Sequence, residues 1–186
     1  MRLFAAIDLN DEVREAIAAE QKRVAAIVGK GASLRWVLPA HMHLTLAFLG
    51  EVAEAAVPQI VDALSPNFDI APFTAVFQHL GVFPPRGAPR VLWLGMAEGA
   101  SQTVGLQRQV AQRLERVGVP PEPRPFHPHL TLGRWRSSRP SDARRALVAD
   151  RQAVVARLRV DGVTLYQSQL GPAGPTHTAR VHATLT

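Results

Sequence analysis

Two tetrapeptides carry the residues best equipped for chemistry. His43-Leu44-Thr45-Leu46 recurs unchanged as His129-Leu130-Thr131-Leu132, 86 residues later in a chain of 186. Side chains alternate faces along a strand, so His43 and Thr45 should point one way and Leu44, Leu46 and Phe48 the other. The leucines then enter a core, and imidazole and hydroxyl are presented together on the opposite face. Repetition at about half the chain length predicts two related lobes. Two imidazoles facing across a shared cleft suit phosphodiester cleavage: one takes a proton from the attacking water, and the other, already charged, gives one to the departing oxygen. An unperturbed histidine pKa of about 6.5 serves either task. The hydroxyls of Thr45 and Thr131 can donate to non-bridging phosphate oxygens and hold the phosphorus in line. Because the motif is identical in both halves, it does not say which histidine is acid and which is base.

With seven histidines and nine threonines, isolated His-x-Thr pairs arise by chance, and His182-Ala183-Thr184-Leu185 is a third. Identity at all four positions and the half-chain spacing distinguish the first two. His182 is assigned to the polar face of a terminal strand.

Competing chemistries are narrowed by composition. There are no cysteines, which excludes disulfides, thiolate metal sites and cysteine nucleophiles. His41-Met42-His43 and His127-Pro128-His129 form two His-x-His pairs that could hold zinc if each lay along a strand. Neither has a carboxylate close by and Pro128 disturbs the second, so no metal and no other cofactor is expected. The formal charge is +6, with Arg134, Arg136, Arg139, Arg144, Arg145, Arg151, Arg157 and Arg159 close together against Asp142 and Asp150. Such a field favours polyanions. An RNA-binding module without chemistry would use the same charge, but it gains nothing from paired His-x-Thr sites and should expose more aromatic residues.

The elements that must position these groups follow from the pattern. Residues 2 to 9 read as a strand and 11 to 28 as an amphipathic helix, capped by Asn10 and ended by Gly29 before a turn reaching Gly31. Extended chain is expected at 34 to 37, 42 to 49, 70 to 79, 90 to 96, 129 to 135, 154 to 161 and 179 to 185. Helices are expected near 54 to 64, with Pro58 in its first turn, at 102 to 117, and from a Ser141 cap to about 150. Phe83-Pro84-Pro85-Arg86-Gly87 reads as a loop. The expected class is α+β: one bilobal domain over 1 to 186, with two antiparallel sheets related by a pseudo-two-fold axis and helices flanking a central cleft. The apolar start meets Asp8, Asp11 and Glu12 too early for a signal peptide or membrane span, so a cytoplasmic chain is expected.

At these residues the chain resembles the two-histidine phosphoesterase superfamily, and within it the bacterial and archaeal RNA 2',3'-cyclic phosphodiesterases also labelled 2'-5' RNA ligases. The matching text is Arg2-Leu3-Phe4-Ala5-Ala6-Ile7, Trp36-Val37, His43 through Gly50, Phe126 through Arg134, and Leu165-Tyr166-Gln167-Ser168-Gln169-Leu170-Gly171-Pro172 as a closing strand and turn. The resemblance implies hydrolysis of the cyclic phosphate to a 2'-phosphomonoester, with weak 2'-5' ligation as the reverse. By motif position it makes His43 the general acid and His129 the general base, with Thr45 and Thr131 on the phosphate. It implies a monomer acting on RNA ends with a 2',3'-cyclic phosphate, tRNA fragments among them. Arg134 occupies a position where relatives carry a phosphate-neutralising basic residue. Strict alternation puts it on the face opposite His129, so that role requires a bulge, for which Gly133 is suited. His177 departs from the aromatic residue usual in relatives. Trp36 and Phe48 are candidates for base stacking, with core packing the expected role of both.

Overall fold

The structure, a computed structural model, describes residues 1–29, 33–171 and 174–186. Its first strand β1 (Arg2–Ile7) leads into helix α1 (Asp11–Val28), whose start is fixed by Asn10: its side-chain oxygen accepts from the Val13 N–H at 2.9 Å. Gly29 ends the helix at φ 80°, a conformation costly for any other residue. The remainder of the expected turn at Gly31 lies outside the described residues. There follow β2 (Leu34–Trp36), a 3-10 turn at Pro39–His41, β3 (Leu44–Glu51), a 3-10 turn at Glu54–Ala56 and α2 (Val57–Leu64). The second half contains β4 (Phe73–Phe83), β5 (Val91–Glu98), α3 (Ala100–Arg116), β6 (Leu130–Trp135), α4 (Pro140–Leu147), β7 (Ala156–Val160), β8 (Gly162–Gly171) and β9 (Gly174–Thr184).

Two sheets result, with antiparallel pairing between neighbouring strands in both: β3-β1-β8-β9, and β2-β6-β5-β4-β7. The expected bilobal α+β architecture is therefore present. Within it one unit recurs, strand, helix, strand, as β1–α1–β3 and as β5–α3–β6, and in each the outer strands pair with one another. Each helix reaches the other sheet: α1 contacts α4 and β7, whereas α3 contacts α2 and β3 as well as β5 of its own unit. This exchange ties the halves into one core, where Ile17 and Val24 of α1 and Leu106 and Val110 of α3 are fully buried.

Several boundaries differ from expectation for local reasons. β4 begins at Phe73, because Pro72 has no N–H for the ladder and the Ile70 N–H closes a turn onto the Phe68 carbonyl. Helix α4 is capped two residues earlier than Ser141: Pro140 fills its first turn, and Asp142 Oδ2 accepts from the Arg139 N–H at 2.8 Å. The last strand starts at Gly174, since its pairing with β8 extends along a hairpin arm whose Gly-Pro-Thr-His-Thr text has no apolar alternation. β8 itself was foreshadowed only by the family resemblance, whose Pro172 lies outside the described residues. No described helix is long and apolar enough to cross a membrane.

Candidate active site

Each repeated motif opens the third element of the repeated unit. Leu44 and Leu130 are the first residues of β3 and β6, which are in contact, so His43 and His129 sit at matching strand entrances in the two sheets. Leu44, Leu46, Leu130 and Leu132 are buried, as the alternating pattern requires.

The approach to His43 is fixed from α1. Arg14 donates through Nε to the Leu9 carbonyl at 3.0 Å and through Nη1 to those of Pro39 and Met42 at 2.8 and 3.1 Å. A planar guanidinium can bridge three carbonyls in this way where an ammonium on a flexible stem cannot hold the same fork. The His43 ring stacks on Phe4 with centroids 4.5 Å apart, and His177 meets it edge-on at 5.5 Å. Phe4 in turn stacks on Tyr166 at 5.3 Å. His129 stands in a different wall. Phe83 lies edge-on at 5.1 Å, Trp93 is tilted at 6.1 Å, and its Nδ1 is 2.7 Å from the His127 carbonyl. A ring nitrogen facing a carbonyl carries the proton, which leaves Nε2 as the lone-pair nitrogen of the neutral ring. Gly81 is opposite Trp93 in the ladder because a Cβ there would come within 2.1 Å of the indole.

The register explains how motif and neighbours share a face. Thr45 is opposite Ala6 and Thr131 is opposite Trp93. One residue further, both ladders slip: Ala5 pairs with Ala47 and Leu92 with Gly133, so Leu46 and Leu132 are extra residues in β3 and β6. These bulges occur at the same motif position in both lobes and reverse the alternation beyond it. Arg134 is therefore opposite Val91, on the same side of β5 as Trp93, and shares the face of Thr131 and His129. The bulge required for Arg134 exists, centred on Leu132 rather than Gly133. The same slip overturns the expectation for Phe48: it pairs with Phe4 on the histidine face and is 59% exposed instead of entering the core. Trp36 does pack against the core. The Leu132 carbonyl accepts from the Val37 N–H and from Gln21 Nε2, both at 2.9 Å, which accounts for the buried amide of Gln21.

Of the two His-x-His pairs, the first is not a strand pair, since His41 ends the 3-10 turn before β3. In the second, the His129 Nδ1 is engaged by the His127 backbone. Burial pushes the His43 imidazole down to about 4, and the neighbouring His177 and Arg14 act in the same direction. Asp8 and a backbone bond to His41 act against them. His129 is lowered too, first by burial, then by the charges of His127 and Arg134, with the backbone bond to His127 opposing. His177 is lowered by burial and His41, and its Nδ1 is buried without a partner among the described residues.

Arg14, Phe4, Trp93, Tyr166 and Asp8 were not singled out from the sequence as site residues. Tyr166 OH and Thr164 Oγ1 each donate to the Asp8 carboxylate at 2.6 Å. Only the pairing of β1 with both β3 and β8 brings these residues beside the motif, and no local spacing announces that pairing.

A bilobal α+β fold with one His-x-Thr motif at the entrance of a matching strand in each sheet defines a duplicated two-histidine class. The chain belongs to the 2'-5' RNA ligase superfamily, whose family model matches residues 13–172. It is 34% identical over 177 residues to the RNA 2',3'-cyclic phosphodiesterase of Archaeoglobus fulgidus, covering 95% of this chain and 96% of the relative. The RNA 2',3'-cyclic phosphodiesterase of Thermus thermophilus is 36% identical over 192 residues, covering 96% and 87%. Among solved structures, E. coli LigT complexed with NADP+ is similar with a TM-score of 0.75 at 30% identity, over 100% of this chain and 97% of that one.

Proposed function

We propose that this chain is an RNA 2',3'-cyclic phosphodiesterase that hydrolyses cyclic phosphate ends to 2'-phosphomonoesters by acid-base catalysis. The observation that carries the reading is the matched pair of motifs, one in each lobe, each followed by a bulge that turns a further functional side chain onto the histidine face. Near-full-length similarity to proteins named for this activity supports it.

In the proposed reaction the oxygen of a water attacks phosphorus while the bond from phosphorus to the 3' oxygen breaks. Nε2 of His129, left free by the bond at Nδ1, takes the water's proton. His43 gives its proton to the leaving 3' oxygen, so one water is consumed and the two imidazoles exchange protonation states. Thr45, Thr131 and Arg134 bind the non-bridging oxygens and offset their charge. Phe48, exposed on the same face, offers a ring on which a base can stack. No step calls for a metal or a redox group. A ribose hydroxyl in place of water would form a 2'-5' bond, but water is far more abundant, so hydrolysis dominates. The RNA is a fragment with a 2',3'-cyclic end, such as a cleaved tRNA, and the enzyme acts as a cytoplasmic monomer.

The test is product analysis: an oligoribonucleotide with a 2',3'-cyclic phosphate is incubated with the protein in a chelator. A 2'-phosphate product is expected. A 3'-phosphate product, or cleavage that stops in the chelator, contradicts the reading.

A further inference from the structure

We propose that Asp8 is a positioning residue that decides which of the two histidines holds the proton, an inference that rests on the acid and base roles proposed above.

The two repeated units differ at one place facing the motif. In β1 and β3, Ala6 is opposite Thr45 and Ile7 opposite Leu44, the last pair of the ladder; the same register continued by one residue brings Asp8 level with His43, on whose ring its charge acts. In β5 and β6, Trp93 is opposite Thr131 and Leu94 opposite Leu130, again the last pair; the register continued by one residue brings Gly95 level with His129. Residues opposite one another in a ladder share a face. Identical motifs therefore meet a carboxylate in one lobe and no side chain in the other. At Gly95 a Cβ would lie 3.1 Å from the Trp93 ring and 3.2 Å from the Gln78 carbonyl, so this lobe has little room for a matching acid.

The Asp8 carboxylate is held rather than loose. Tyr166 OH donates to Oδ1 and Thr164 Oγ1 to Oδ2, each at 2.6 Å. A threonine hydroxyl has a single proton, and Thr164 spends it on Asp8, so it must accept from His182 Nδ1, 2.9 Å away. The third His-x-Thr of the sequence is thus the far end of a chain running His182 to Thr164 to Asp8. Both groups bonded to the carboxylate are neutral hydroxyls, and burial and Asp8 push the Tyr166 phenol up to about 12, so neither cancels its charge.

Around His43 the charged and titratable neighbours are His41 from the preceding turn, Arg14 from α1, His177 from β9 and Asp8 from the end of β1. Arg14 and His177 disfavour a charged ring, and Asp8 favours it. In the protein alone burial prevails. A bound phosphodiester brings a negative charge that adds to that of Asp8 and opposes burial. Beside His129 the backbone bond to His127 favours protonation and the charges of His127 and Arg134 disfavour it, and no carboxylate among the described residues acts on the ring. The carboxylate beside His43 has no counterpart beside His129, and in the proposed reaction it adds to the phosphate charge so that His43 holds the proton while His129 serves as the base.

The experiment compares wild type with Asp8→Asn, using the pH dependence of kcat on a cyclic-ended oligoribonucleotide and the NMR titration of the His43 ring in sulfate, an anion whose charge is constant over the range. Activity requires charged His43, and with bound phosphate lifting that ring above His129 the basic limb of the bound enzyme falls at the pKa of His43. In Asp8→Asn both the limb and the titration should move to lower pH by at least about half a unit, given the usual influence of a nearby opposite charge. The acid limb, set by His129, should stay. An unchanged His43 titration, or movement of the acid limb alone, overturns the proposal. A shifted titration in a protein that does not open cyclic phosphates would sink the proposed function while leaving the Asp8 coupling standing. Should Asp8→Asn not fold, wild type decides: the Asp8 carboxyl carbon must show an inflection where His43 titrates, and a curve without one overturns the proposal.

Discussion

Phe48 and Arg134 occupy the same place in the two lobes, each five residues past a motif histidine and just beyond a bulge at the motif's last leucine. The repeated unit thus supplies a flat apolar ring on one side and a guanidinium on the other. That asymmetry matches a ligand with a base at one end and a charged phosphate at the other.

Arg134→Ala should therefore raise KM several-fold with a smaller effect on kcat, and reduce the salt dependence of binding by about one counterion. Phe48→Ala should raise KM with little change in that salt dependence, the expected loss being about 1–3 kcal/mol if one base stacks there. Steady-state kinetics at several salt concentrations separates the two. Equal salt slopes in both variants would refute the division of labour.

Binding an anion should draw protons into the site. His43 sits at about 4 and His129 below its ordinary value, so both rings are largely neutral near pH 7. A phosphate group raises them, most at His43 where the charge of Asp8 adds to it, and calorimetry with 3'-AMP in buffers of different ionisation enthalpy should register proton uptake at pH 7. The amount should fall in His43→Asn. Uptake of zero in the native protein contradicts the burial-driven depression.

The same shift fixes how stability depends on pH. His43 protonates at about 4 when folded and near its ordinary value of about 6.5 when unfolded. Between these values the unfolded chain binds more protons, so this contribution is full above about pH 6.5 and is lost as pH falls toward 4. Thermal unfolding should show a falling Tm across that window, and His43→Asn should flatten the fall.

Arg14→Met should leave the carbonyls of Leu9, Pro39 and Met42 without their charged donor. A cost of about 1–3 kcal/mol in urea unfolding is expected, together with a drop in kcat because the segment entering His43 is released. Undiminished kcat at full folding would show that the clamp does not position the ring.

Much of this arrangement was legible in the sequence because it is local. The α1 boundaries followed from Asn10, Gly29 and the apolar stripe, and the buried faces of both motifs followed from period-two alternation. Alternation failed at Phe48, because a bulge leaves no residue-type signal when the extra residue is an ordinary leucine. The need for a bulge could be deduced at Arg134 only because a role had been assigned to it first. Asp8, Thr164, Tyr166 and His182 converge through pairing across β1, β8 and β9, between residues as far apart as 158 in sequence. Nothing in their local text foretells it. The start of α4 was misplaced because Ser141 is a good cap by type, whereas Pro140 and Asp142 together favour the earlier start.

The central claim is that one imidazole from each lobe acts on the same phosphorus. Single-turnover cleavage of a cyclic-ended oligoribonucleotide by His43→Ala, His129→Ala and the double variant tests it most directly. Each single change should slow the step by about 10²–10⁴-fold, and the double variant should be scarcely slower than the worse single one, because the two groups work as a unit. Near-native cleavage by either single variant, or losses that multiply in the double variant, would contradict the account.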